Sequence, residues 1–227
     1  MTGQGPGFFG KLRTHGDFVG RRLAPPLRLA LDAWLQGALL RSRQDLGAAW
    51  LPAWLNGPLW RFVLAPGVGG EQACAGVMMP SLDRVNRCFP LVIALALDGA
   101  PSLAECLGAQ DAWFTRLEDL ALSTLEPGFS IDAFDAALAA LDGAPRARAR
   151  EATAGAGALP AGARFAALDG REAPALAHAP LAGQSAWWTA GAPTVAPCLA
   201  VCGGLPAPAA FAALLDGAWE AHGWRRA

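Results

Sequence analysis

Apolar residues recur along this chain with two periods, and the period separates helices from strands. Between Pro25 and Leu46, Leu27, Leu31, Trp34, Ala38 and Leu39 keep helical spacing, with Arg28 and Asp32 on the polar side. One long helix is predicted, entered through Pro25 and Pro26 and stopped at Gly47. Trp60, Phe62 and Leu64 instead alternate with Arg61 and Val63, as in a strand with one buried face. GFFGKLR at 7–13 reads as an earlier strand, followed by a turn at THGDF. Residues 50–58 read as a loop or short helical turn, and APGVGGEQ as a turn. Ala73–Met79 is the next strand and a hairpin partner for the one before it. Phe89–Leu97 is apolar on both faces and is therefore expected at the centre of a sheet.

In the second half, Leu107, Trp113, Phe114, Leu117, Leu120 and Ala121 form the apolar side of a helix expected over 103–125. EPGFS breaks it, and Ser130 caps a shorter helix carrying Ile131, Phe134, Leu138 and Leu141, closed by Gly143. Residues 143–163 are low in complexity and lack an apolar period, so a mobile loop is expected there, not a domain boundary. SAWWTA (185–190) and PCLAVC (197–202) read as a strand pair. GLPAPAAFAALLDGAW reads as a final helix with Phe211, Leu214, Leu215 and Trp219 facing inward. The expected fold class is α+β: a single layered domain over 1–227, with a mixed, largely antiparallel sheet and helices packed against it.

Composition narrows the function. A hydrophobic fraction of 53% against 16% charged residues excludes a disordered chain, but much of it is Ala, so the core must come from Leu, Phe and nine Trp. A net charge of −1 gives no concentrated basic face for nucleic acid. The longest clean apolar run, 91–97, is too short to cross a bilayer, and MTGQGPGFF lacks the pattern of a signal peptide. The five Cys are odd in number, contain no C-x-x-C and point to reduced thiols in a cytoplasmic protein. Cys198 and Cys202 lie four apart, but the three His are distant in sequence; no metal and no cofactor are expected.

The chemistry-bearing residues gather in two short stretches. GPGFFGK at 5–11 fits the spacing of a phosphate-binding loop but is followed by Leu12 where Ser or Thr is needed, with no room for a preceding strand. A nucleophile triad can be drawn from Ser81, His15 and Asp17 or Asp83, though Ser81 lacks the usual elbow around a nucleophile, and Cys88 or Cys106 with a His is no better supported. MPSLDRVNR at 79–87 places Ser81, Asp83, Arg84 and Arg87 directly before the central strand. Three readings stay open: an anion site in an enzyme, a clamp pairing these charges with each other or with Lys11 and Asp17, and a recognition surface.

GFFGKLRTHGDFV (7–19), DAWLQGAL (32–39), PLWRFVLAPGV (58–68) and AGVMMPSLDRVNRCFPLVIA (75–94), in this order, resemble the TagF family, also called ImpM, of type VI secretion-associated proteins. SAWWTAG (185–191) and GGLPAPAAFAALLDG (203–217) are similar to the family's C-terminal part. The sequence departs at Arg13, where the family commonly has Pro, and at Asn86, where it commonly has Gly; Asn tolerates the left-handed backbone better than most residues. The resemblance implies a cytoplasmic, non-enzymatic accessory protein, a post-translational repressor of secretion that engages the forkhead-associated (Fha) scaffold protein independently of threonine phosphorylation. The expected protein-binding surface is Lys11, His15, Asp17, Ser81, Asp83, Arg84 and Arg87, with Trp60, Arg61, Trp187 and Trp188 as additions. The alternatives are a hydrolase or phosphate-handling enzyme using the 11–17 and 81–87 loops, and a structural subunit of the apparatus.

Overall fold

The computed structural model describes residues 5–99, 101–145, 162–178 and 181–227. The chain enters through strand β1 (Gly7–Gly10), turns at THGDF and returns as the three-residue strand β2 (Val19–Arg21). Gly10 is required where β1 meets the next layer of backbone: its φ is 143°, and a Cβ there would lie 2.0 Å from the Pro90 carbonyl oxygen. Helix α1 then runs over Pro25–Leu46, with Gly47 at φ 51° ending it, as its sequence predicts. Trp50–Leu55 forms a short helix, α2. Strands β3 (Trp60–Leu64), β4 (Ala73–Met79) and β5 (Leu91–Leu97) follow as an antiparallel meander.

The expected helix over 103–125 is two helices, α3 (Leu103–Leu107) and α4 (Asp111–Ser123). Gly108 interrupts the backbone at φ −120°, ψ −101°, although the apolar spacing continues through it. Helix α5 (Ile131–Ala139) starts where Ser130 accepts a hydrogen bond from the Ala133 amide at 3.4 Å, and ends four residues before Gly143. Of the low-complexity stretch, residues 146–161 lie outside those described. Strand β6 (Arg164–Ala167), helix α6 (Ala173–His178), strand β7 (Gln184–Thr189) and strand β8 (Cys198–Gly203) come next. The last segment is a series of tight turns around the four-residue helix α7 (Ala213–Asp216), closed by strand β9 (Arg225–Arg226). Gly217 at φ 72° stops the terminal helix that the apolar spacing predicts through Trp219.

The nine strands form one sheet in the order β2-β1-β5-β4-β3-β7-β8-β6-β9. All pairings between these strands are antiparallel except β6 with β9. The LVIALAL strand sits between β1 and β4, inside the sheet, as its two apolar faces require. Strand alternation feeds two cores. Phe9, Trp60, Phe62, Met78 and Trp187 point to the face covered by α1, α2 and the C-terminal turns. Phe8, Val63, Val77, Ile93 and Trp188 point to the face covered by α3 to α6. Burying a side chain such as Phe62 or Ile93, both fully enclosed, stabilises the fold by roughly 1.5–3 kcal/mol.

Candidate functional site

The loop between β4 and β5 and the turn between β1 and β2 meet at one end of the sheet, and a single carboxylate joins them. Asp83 Oδ2 accepts from Lys11 Nζ at 2.8 Å and from Arg87 Nε at 2.6 Å. Asp83 Oδ1 accepts from the backbone amides of Val85 at 3.0 Å and Arg87 at 2.8 Å. The Asp83 side chain has no solvent exposure and that of Lys11 only 7%. Burial pushes the Asp83 carboxyl upward, but the donors from Lys11, Arg87 and Val85 outweigh it and hold it well below the usual carboxylate range.

Local backbone chemistry shapes this loop. Asn86 takes the left-handed conformation at φ 64°, which a Gly would adopt freely and Asn tolerates. The Asn86 amide bonds to the Asp83 carbonyl at 3.0 Å, and Leu82 and Cys88 bridge below the turn. Further bonds fasten the two loops. The Ser81 hydroxyl donates to the Lys11 carbonyl at 2.7 Å, the Arg84 amide to the His15 carbonyl at 2.8 Å, and the Arg87 guanidinium to the Gly16 carbonyl. Helix α2 adds a support from behind, where Trp54 Nε1 donates to the Ser81 carbonyl at 3.1 Å.

The structure separates the expected site residues into three groups. Lys11, Ser81 and Asp83 are buried and form the clamp itself. His15, Asp17, Arg84 and Arg87 sit above them at or near the surface. Of these, only Arg87 pairs with Asp83; the Arg84 guanidinium has no ion pair among the described residues, and Asp17 Oδ1 accepts from the Phe18 amide at 2.8 Å rather than joining the clamp. The remaining four lie elsewhere. Trp60 and Trp187 are core residues at 1% and 0% exposure, donating Nε1 to the Leu214 carbonyl and the Ser185 hydroxyl. Trp188 packs edge-on against Phe114 beneath α4, with centroids 4.8 Å apart. These three indoles therefore offer no contact area to a partner of the folded chain. Arg61 is bound to Glu118 at 2.7 and 2.8 Å, to Thr115 at 3.0 Å and to Asp111, which commits four of its five donors within the fold.

No catalytic set is assembled by these loops. Ser81 spends its proton on the Lys11 carbonyl, and His15 Nδ1 bonds to Thr14 Oγ1 at 2.9 Å. The GPGFFGK stretch is a strand edge-paired to β5 and β2, not a loop opening a helix. The thiols of Cys74, Cys106 and Cys198 are pushed up to about 12 by burial, so they are protonated and unreactive at neutral pH.

Two exposed apolar residues complete the surface. Phe18 is 45% exposed and Val85 61%, although each is surrounded by polar sequence. Phe18 stacks on Phe9 at 5.5 Å, meets Phe89 edge-on at 4.8 Å and lies under Lys11 Nζ at 5.2 Å. The signal for both was present in THGDF and DRVNR: one large apolar residue in an otherwise polar turn.

Residues 7–141 match the family model described as the TagF N-terminal domain, type VI secretion system-associated. The chain belongs to the TagF family. The crystal structure of PA0076 from Pseudomonas aeruginosa PAO1 is similar to this TagF-family chain at 39% identity and a TM-score of 0.77, over 93% of this chain and 94% of that one. No curated protein matches. The clamp lies wholly within the stretch matched by the TagF model, with Lys11 near one end and the 81–87 loop inside it. Among the described residues of this TagF-family chain, no helix is long and apolar enough to cross a membrane.

Proposed function

We propose that this TagF-family chain is a non-enzymatic, post-translational repressor of type VI secretion that acts in the cytoplasm by binding the Fha scaffold protein. Its contact surface is the exposed side of the clamped loops: His15, Asp17, Arg84 and Arg87, with Phe18 and Val85 between them. Membership of a type VI secretion-associated family supports an accessory role. The observation that carries the surface is the contrast between two adjacent residues: Asp83 is enclosed and fully bonded, while Arg84 beside it is exposed and its guanidinium has no ion pair among the described residues. A fold that needed Arg84 would pair it. A binding surface keeps it available on a backbone held still by its neighbour, which lowers the ordering cost of association.

The test is co-purification with the Fha protein of the same secretion cluster, in unphosphorylated and threonine-phosphorylated forms. Equal retention of both is the expected result. Retention of neither removes the mechanism, and retention of the phosphorylated form alone removes its independence of phosphorylation.

A further inference from the structure

The two stretches that build this surface are charged unlike the rest of the chain. Residues 11–28 and 81–87 hold seven Arg and Lys against two Asp, a surplus of five positive charges. The net charge of the whole is −1, so the remaining residues carry a surplus of six negative charges. Part of the positive surplus is neutralised from outside the two stretches, where Asp135 pairs with Arg21 and Arg22 and Asp132 with Arg21. Arg13, Arg28 and Arg84 are exposed and have no ion pair among the described residues.

Arg28 and the clamp's Lys11 lie against one set of rings. The Arg28 guanidinium is 5.8 Å from the Phe9 centroid, Phe9 stacks on Phe18, and Phe18 adjoins Lys11 of the clamp. The Arg84 guanidinium approaches Gly16, two residues before Phe18. A cleft of about 210 Å³, room for one side chain, opens beside Phe18 between Arg21 and Arg28.

We propose that the partner segment taken by this face is an acidic peptide: an extended stretch with Asp or Glu side chains flanking an apolar residue. The carboxylates meet Arg13, Arg28 and Arg84, and the apolar residue lies on the exposed Phe18 ring and in the cleft. This rests on reading the face as the partner surface and adds the chemistry of what binds there. The charge division favours a short protein segment over an extended polyanion. A short segment needs only the basic face, whereas a membrane or a nucleic acid spans more of a molecule whose other residues carry a surplus of six negative charges. Asp17 is the one acid exposed on the 11–17 turn, and it opposes such a ligand.

Binding is measured from 50 mM to 500 mM salt for wild type, the Arg13→Glu/Arg84→Glu pair and Asp17→Asn. The probes are Fha, a poly-glutamate peptide and phosphatidylserine vesicles. The expected result is Fha affinity that falls with salt, drops about tenfold in the double reversal and rises about twofold in Asp17→Asn. Fha affinity that is tight but indifferent to salt and to all three changes overturns the acidic segment and leaves the Fha reading standing. Should Fha not bind at all, the Fha reading falls and poly-glutamate decides. Binding lost in the double reversal supports the acidic ligand, and no binding overturns it. Vesicle binding stronger than peptide binding overturns it in favour of a membrane surface. Unchanged melting temperatures of the variants exclude misfolding as the cause.

Discussion

Asp83 and Arg61 are the hubs of two ionic locks, and they are built with opposite signs. At Asp83 one enclosed carboxylate serves two cations and two backbone amides, and all four donors come from loops. At Arg61 one guanidinium on β3 serves Asp111, Thr115 and Glu118, all on the single helix α4. The first lock leaves an exposed arginine beside it with no ion pair among the described residues; the second commits four of the five Arg61 N–H groups to α4. The Arg61 lock fastens a helix to the sheet. A lock whose neighbours stay exposed also presents them, and this is why the surface at Asp83, not the one at Arg61, is read as the binding face.

Removing each hub should separate the two. Asp83→Ala leaves the Lys11 ammonium buried without its counter-charge and unties the two loops, so the melting temperature should fall by on the order of 10 °C. Binding of Fha should be lost with it. Acidification should act on the same hub. Because the folded protein holds the Asp83 carboxyl below its ordinary value of about 4, its contribution is present above that pH and lost as pH falls through the acid range. The melting temperature of wild type should therefore drop between about pH 5 and 2, and Asp83→Asn should drop less over the same interval.

Arg61→Leu should be milder. Asp111 and Glu118 retain 53% and 19% side-chain exposure and can return to water, so a loss of about 4 °C is expected, with Fha affinity unchanged. A large loss of Fha affinity in this variant breaks the contrast between the locks. The smallest effect on stability belongs to Arg84→Ala, within about 1 °C of wild type in a melting curve, because no ion pair is removed.

Much of the sheet was legible. The spacing gave α1 and strands β3, β4, β7 and β8 close to their bounds, since each is long enough for its period to emerge. The three-residue β2, the two-residue β9 and RFAA in β6 were missed because their strand state comes from neighbours in space, not from a local pattern. Helix α6 was also missed: six residues, three of them Ala, carry almost no period. The two loops of the site stood out as polar groups beside an apolar strand. Their division into clamp and surface did not, because Asp83, Arg84 and Arg87 differ in burial by the path of a turn fixed at Asn86. The tryptophans misled for a general reason: an indole is as useful in a core as at an interface, and only the fold assigns it.

The most direct test is to measure Fha affinity and melting temperature for wild type and Arg84→Ala in the same buffer. Weaker binding by at least several-fold with an unchanged melting temperature is the expected result, and assigns Arg84 to recognition. Equal affinity contradicts the account, and a collapsed melting curve contradicts it as well, by making Arg84 part of the clamp.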